Sequence, residues 1–189
     1  MTRLWLVRHG PTHAKSMVGW SDIPADLSDS DAIRRLRQYL PDAPVVSSDL
    51  IRAVETADAL QPQNRLEHDR KLREINFGDW ELKTFAEVEA KNPKHIRAYW
   101  ETPGDIAPPN GESWNAVRDR VSGAIDGYLN LGLADLIIVA HFGAILTQVQ
   151  RAKNITAYEA FGHRIENLSV TDLKFDGQGW HVGRINHVL

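Results

Sequence analysis

Cysteine is missing altogether from the 189 residues, which excludes disulfides, thiolate nucleophiles and cysteine-ligated metals. Long hydrophobic runs are missing too. The longest uncharged apolar-rich stretch, Leu136 to Val149, contains His141 and is too short to span a bilayer. The run that starts at Leu4 is broken by Arg8 after four residues, too early for a signal peptide. Neither charge is in large excess, and a net charge of −3 argues against a general nucleic-acid binder. The chain has no Walker-type loop, no G-x-S-x-G elbow and no paired-aspartate metal motif. The expectation is a cytoplasmic protein with neither membrane nor nucleic acid as partner. Repeats, low-complexity tracts and linkers are also lacking, so the length suits a single domain over residues 1–189.

What the chain does have begins at Leu4-Trp5-Leu6-Val7. Four apolar residues without period-2 alternation predict a short strand buried on both faces. It stops at Arg8-His9-Gly10-Pro11, where Gly10 permits a tight turn with unusual backbone angles and Pro11 cannot continue a central ladder. A guanidinium and an imidazole are thereby delivered to the carboxyl end of a core strand, the edge where ligands bind in open α/β sheets. Taken alone, the same residues read equally well as the polar start of a loop.

Further along, Ser28, Asp29 and Ser30 offer helix caps before Ile33, Leu36 and Leu40. Val45-Val46 predicts a second strand, and Asp49 a cap for the next helix, with Arg52 in its first turn. Leu66 reads as a weak third strand, and Leu72 to Glu81 as an irregular loop. Residues 84–101 predict two short helices broken at Asn92-Pro93, with an acidic and basic run along 84–97 that reads as a solvated face. Residues 75–111 together read as a small helical insertion covering the sheet edge. Trp114, Val117, Val121, Ile125 and Tyr128 carry the clearest helical period. Leu136 to Ala140 is a second buried strand, ending in His141-Phe142-Gly143 before another helix. Ser169–Phe175 and Trp180–Val188 alternate as a hairpin. The fold class is therefore α/β: three layers, α/β/α, with a mostly parallel sheet, helices on both faces and a C-terminal antiparallel hairpin.

If the strand ends share one edge, Arg8, His9, Arg52, His141 and Glu74 converge on a small volume. Two guanidiniums there call for an anion such as phosphate, and backbone N–H groups after His141 add to the attraction. With no cysteine and no activated serine, histidine is the available nucleophile toward phosphorus. Glu74 is the carboxylate placed to move a proton, with Asp79 and Glu81 as acidic neighbours. His9 and His13 flank a proline loop instead of one helix face, so no metal site is read there. Trp80, Trp100 and Trp114 either line a pocket or pack the insertion; packing is the simpler reading.

These residues resemble the histidine phosphatase superfamily, the clan that includes cofactor-dependent phosphoglycerate mutases. Arg8-His9-Gly10-Pro11-Thr12 looks like its signature, Ser47 to Ala57 its second arginine motif, and Leu72-Arg73-Glu74 with Phe77 to Glu81 its general-acid segment. Asn110-Gly111-Glu112-Ser113 resembles the start of its long helix, and Val139 to Gly143 its second histidine. The resemblance implies a phosphohistidine on His9, with phosphate oxygens held by Arg8, Arg52 and His141, and Glu74 as general acid and base. It further implies that Gly10, Thr12, Lys15 and Phe142 line the phosphate site, that no metal or cofactor is used, and that the partner is a small-molecule phosphomonoester. Lys15 stands where most members carry asparagine, and either substitutes with a full charge or points to solvent. Phe142 replaces a glycine but keeps the backbone N–H, Leu82 stands where glycine is common, and Ala25-Asp26 lengthens the loop after Pro24. The short insertion favours hydrolysis over phosphate shuttling, and Phe77 to Ser113 looks most like the α-ribazole phosphatases. A phosphoglycerate mutase and a catalytically silent phosphate-binding or interaction module are the alternatives. The sequence leaves natural substrate and oligomeric state open.

Overall fold

The computed structural model describes residues 1–189. In chain order its elements are β1 (Thr2–Arg8), α1 (Ser30–Tyr39), β2 (Val45–Ser47), α2 (Ile51–Ala59), α3 (Phe85–Lys91), α4 (Pro93–Glu101), α5 (Trp114–Leu129), β3 (Asp135–Ala140), α6 (Phe142–Lys153), α7 (Ala157–Ala160), β4 (Val170–Phe175) and β5 (Trp180–Val182). Successive side chains of β1 and β3 point to opposite faces, and both faces are apolar. Leu4, Leu6, Leu136 and Ile138 pack with Trp114, Val121, Ile145 and Val149 of α5 and α6. Trp5, Val7, Ile137 and Val139 pack with Leu36, Ala53 and Ala57 of α1 and α2. Two cores, one on each side of a sheet, produce the three layers.

The sheet order is β2-β3-β1-β4-β5, with β1, β2 and β3 parallel and the last two strands antiparallel. Strand register then fixes where the loops emerge. Arg8 pairs with Ala140 and Ser47 with Val139, so the three parallel strands end level with one another. The residues next in the chain after each strand therefore share one rim. No helix of the protein is long and apolar enough to cross a membrane.

Several local expectations need correction. Leu66 belongs to no strand: a single bridge joins Val45 to Arg65. The neighbouring backbone nevertheless closes the free edge of β2, since the Leu66 N–H donates to Val45 O at 2.8 Å and the Asp69 N–H to Ser47 O at 2.9 Å. That edge is thus covered by residues 64–69 and not by the insertion. Instead, Ile75, Phe77, Trp80, Val88, Ile96 and Tyr99 extend the core on the α5–α6 side. Trp80 and Trp100 pack on Tyr99 at 5.4 and 4.9 Å between ring centroids, and Trp100 and Trp114 on Phe161 at 5.7 and 4.6 Å. Asp49 caps nothing at α2, whose N-cap is Leu50; its carboxylate takes two hydrogen bonds from Arg73 at 2.6 and 2.7 Å. β5 ends at Val182 because the Gly183 and Arg184 N–H groups turn onto Asp172, at its carbonyl and carboxylate oxygens. The short helix α7 was not anticipated, although Thr156-Ala157-Tyr158-Glu159 carries the sequence pattern of a capping box, and the structure forms it.

Candidate active site

His9 comes directly after the last residue of β1 and is 6% exposed. Its backbone is fixed on three sides. The His9 N–H donates to Ala140 O at 3.1 Å, the Asn167 Nδ2 donates to His9 O at 2.9 Å, and the Gly10 N–H donates to Thr56 Oγ1 at 2.9 Å. Gly10 is not among the glycines of positive φ, contrary to expectation. A Cβ there would lie 2.5 Å from Leu27 Cδ2, the tip of a flexible side chain that would have to shift. The ring geometry identifies the tautomer. His9 Nδ1 lies 2.6 Å from Gly10 O, which can only accept, so the proton is on Nδ1. Arg52 Nε, which can only donate, lies 3.2 Å from Nε2, so Nε2 carries the lone pair. Burial, and then the Arg52 charge, push the His9 pKa down to about 3 despite the bond to the Gly10 carbonyl. The imidazole is neutral at ordinary pH.

Arg52, 1% exposed, is held by backbone carbonyls: Nη1 donates to Ser21 O at 2.9 Å and Nη2 to Gly19 O at 2.6 Å. The loop supplying them is itself held by Glu81. That carboxylate accepts from the N–H groups of Gly19, Trp20, Ser21 and Phe77 at 3.1, 2.7, 3.3 and 3.1 Å, and from Ser21 Oγ at 2.6 Å. Glu81, an acidic neighbour in the sequence, is therefore an anchor for the loop behind Arg52. Arg8 donates through Nη1 to Ile165 O at 2.6 Å and lies 5.6 Å from the Phe142 ring centroid, while its Nε is buried without a partner. Burial lowers the pKa of both arginines, and the Glu74 charge opposes that shift in each.

His141, the N-cap residue of α6, is fully buried, with its ring centroid 5.1 Å from that of His9. Nε2 lies 2.7 Å from Ser48 Oγ, and Nδ1 is buried without a partner. Burial, with the Arg52 charge second, holds its pKa well below the usual imidazole value. Glu74, 7% exposed, accepts from the Gly143 N–H at 3.0 and 3.1 Å on its two oxygens, and from the Ile75 N–H at 2.9 Å. The side chain thus sits at the N-terminal end of α6, and a Cβ on residue 143 would lie 2.5 Å from Glu74 Oε1. One N–H that the sequence offers to phosphate is thus held by the carboxylate. Of the remaining candidates, Phe142 is half-buried against Arg8, and Thr12 is half-buried with Oγ1 3.5 Å from the Ala14 N–H. Lys15 is exposed, the solvent-facing alternative. His13 turns to Asp26 at 2.8 Å and not toward His9. Beside Arg8 opens a recess of about 580 Å³ walled by Phe142, Phe161, His163, Arg164, Glu166 and Asn167.

Sequence reasoning did not single out Ser48, Thr56 or Asn167. Ser48 and Thr56 lie inside the second arginine motif without a residue-specific cue, and Asn167 has no cue at all.

The two neutral histidines imply a pH dependence of stability. In the unfolded chain an imidazole takes up a proton below about 6.5, whereas in the fold His9 does so only near 3. Between these values the unfolded state binds more protons, so stability rises with pH across the window and is lost as pH falls below about 6.5. His9 contributes a slope approaching 1.4 kcal/mol per pH unit, to order of magnitude. Urea unfolding between pH 4.5 and 7 should show a shallower slope in His9→Asn, by up to one proton. An unchanged slope would contradict the buried neutral imidazole.

A mixed sheet with two imidazoles and two guanidiniums gathered at its carboxyl rim defines an α/β protein with a buried histidine–arginine cluster. The sequence profile of the histidine phosphatase superfamily (branch 1) matches residues 4–188, and the chain belongs to that family. It is similar to the adenosylcobalamin/alpha-ribazole phosphatase of Salmonella typhimurium, at 28% identity over 87% of this chain and 86% of that one. A glucosyl-3-phosphoglycerate phosphatase of Mycolicibacterium vanbaalenii is 34% identical over 76% of this chain and 70% of its own. The structure of Bacillus stearothermophilus YhfR superposes with a TM-score of 0.91 at 28% identity, covering 100% of this chain and 98% of that one.

Proposed function

We propose that the protein hydrolyses small-molecule phosphomonoesters through a phosphohistidine on His9, without a metal. The observation that carries this reading is the Nε2 lone pair of His9, fixed by the Nδ1–H bond to Gly10 O and faced by Arg52. In the first step that lone pair forms the N–P bond while the P–O bond to the leaving group breaks, and Glu74 gives its proton to the departing oxygen. In the second, Glu74 takes a proton from water as the oxygen attacks phosphorus, and the N–P electrons return to Nε2. Arg52 passes its Nε–H from the imidazole to a phosphoryl oxygen, and the buried unpartnered Arg8 Nε supplies a second donor. Catalysis is then chiefly positioning and charge stabilisation.

The recess beside Arg8 supports a leaving group of some size, since about 580 Å³ lies within the range of whole ligand pockets. Phosphatases named for α-ribazole and for glucosyl-3-phosphoglycerate are among the relatives, so ring-bearing phosphomonoesters of these kinds are the proposed substrate class. Release of p-nitrophenol from p-nitrophenyl phosphate should proceed in EDTA. A screen with α-ribazole 5′-phosphate, glucosyl-3-phosphoglycerate and 3-phosphoglycerate plus 2,3-bisphosphoglycerate should yield inorganic phosphate. Isomerised phosphoglycerate as the main product would mark a mutase, and no turnover on any substrate a silent binding module.

A further inference from the structure

We propose that Ser48 is a positioning residue that sets the tautomer of His141, so that the ring offers an Nδ1–H, and not a lone pair, to the phosphoryl group. The inference rests on the proposed function and extends it to His141, whose ring centroid lies 5.1 Å from that of His9. Ser48 and His141 are both 0% exposed, so no bulk water completes their hydrogen bonds. The backbone of Ser48 is fixed by its N–H donating to Val139 O at 3.1 Å. Its hydroxyl has two neighbours within hydrogen-bond distance: the Leu50 N–H at 3.1 Å, which can only donate, and His141 Nε2 at 2.7 Å.

A hydroxyl has one proton and two lone pairs, which leaves two arrangements. If Nε2–H donates to Ser48, both hydroxyl lone pairs are used and its proton has no acceptor. Nδ1 is then a second unmet group, a bare lone pair that would repel a phosphoryl oxygen. If Ser48 donates to Nε2, the hydroxyl uses its proton and one lone pair, and a single unmet group remains on the ring. That group is the buried Nδ1–H, a donor which an anion satisfies. Unmet buried polar groups are costly, so the second arrangement wins. It matters because His141 is neutral: a doubly protonated ring would donate from both nitrogens, and no tautomer would need setting.

The test uses the full chain with 15N-labelled histidine and long-range 1H–15N spectra, His141 being assigned with His141→Gln. The wild type should show His141 protonated on Nδ1 and unprotonated on Nε2. Ser48→Ala should shift it toward the Nε2–H form and weaken vanadate binding about tenfold, while Ser48→Thr, which keeps the hydroxyl, should stay within a few-fold of wild type. Vanadate binding by a wild type whose His141 is protonated on Nε2 overturns the role of Ser48 alone. So does a folded Ser48→Ala with unchanged tautomer and affinity, or a folded Ser48→Thr as weak as alanine. A wild type that binds no vanadate overturns the phosphoryl reading instead. Should Ser48→Ala fail to fold, the wild-type tautomer still decides.

Discussion

His9→Asn is expected to lower turnover of p-nitrophenyl phosphate by roughly 10⁴-fold or more, the scale on which removal of a covalent nucleophile is felt. Asparagine separates the two jobs of the ring. Its side-chain amide lies near the position of Nδ1 and keeps a donor for Gly10 O, while nothing remains where Nε2 faces Arg52. The backbone bonds of residues 9 and 10 to Ala140, Asn167 and Thr56 do not involve the ring, so the fold should survive. Rapid quenching of the wild type with labelled substrate should trap an acid-labile, base-stable phosphoryl adduct that maps to His9 and is missing in the variant. Activity retained in a folded His9→Asn protein would refute covalent catalysis at this residue.

The second large effect concerns Glu74 and depends on the substrate. Glu74→Gln should slow hydrolysis of alkyl phosphates by about 10²–10⁴-fold, the usual worth of a positioned general acid. For p-nitrophenyl phosphate the loss of the first step should be much smaller, because p-nitrophenolate leaves without a proton. Glutamine is the informative replacement. An amide oxygen in the place of Oε1 still accepts from both Ile75 and Gly143, so the N-terminus of α6 remains capped. Comparing kcat/KM for the two ester types in wild type and variant measures the effect. Equal losses on both would remove Glu74 from the role of proton donor.

Much of this architecture was legible because it rests on local pattern. The apolar runs at Leu4 and Leu136 gave their strands, the period from Trp114 to Tyr128 gave α5, and Asn92-Pro93 gave the break between α3 and α4. Convergence of Arg8, His9, Arg52, Glu74 and His141 was legible only as a conditional, since it needed three strands to end level. Pairing register is a long-range property, and here Arg8–Ala140 and Ser47–Val139 supply it. What escaped notice was the polar wiring. Asp49 has the composition of a cap, but Arg73, distant in sequence, claims its carboxylate. Gly10 suggested an unusual φ, yet it is not among the glycines of positive φ. Ser48 and Asn167 act through partners 93 and 158 residues away, beyond the reach of any local rule.

Glu81 bears on how such a scaffold is to be re-engineered. One carboxylate fastens the Gly19–Ser21 loop, which seats the buried guanidinium, to the Phe77 turn at the root of the helical lobe. Grafting a foreign lobe to alter selectivity should therefore keep its splice points at Thr84 and Pro108, outside that fastening. A graft that starts upstream of residue 81 would loosen the reaction centre along with the selectivity it sets out to change.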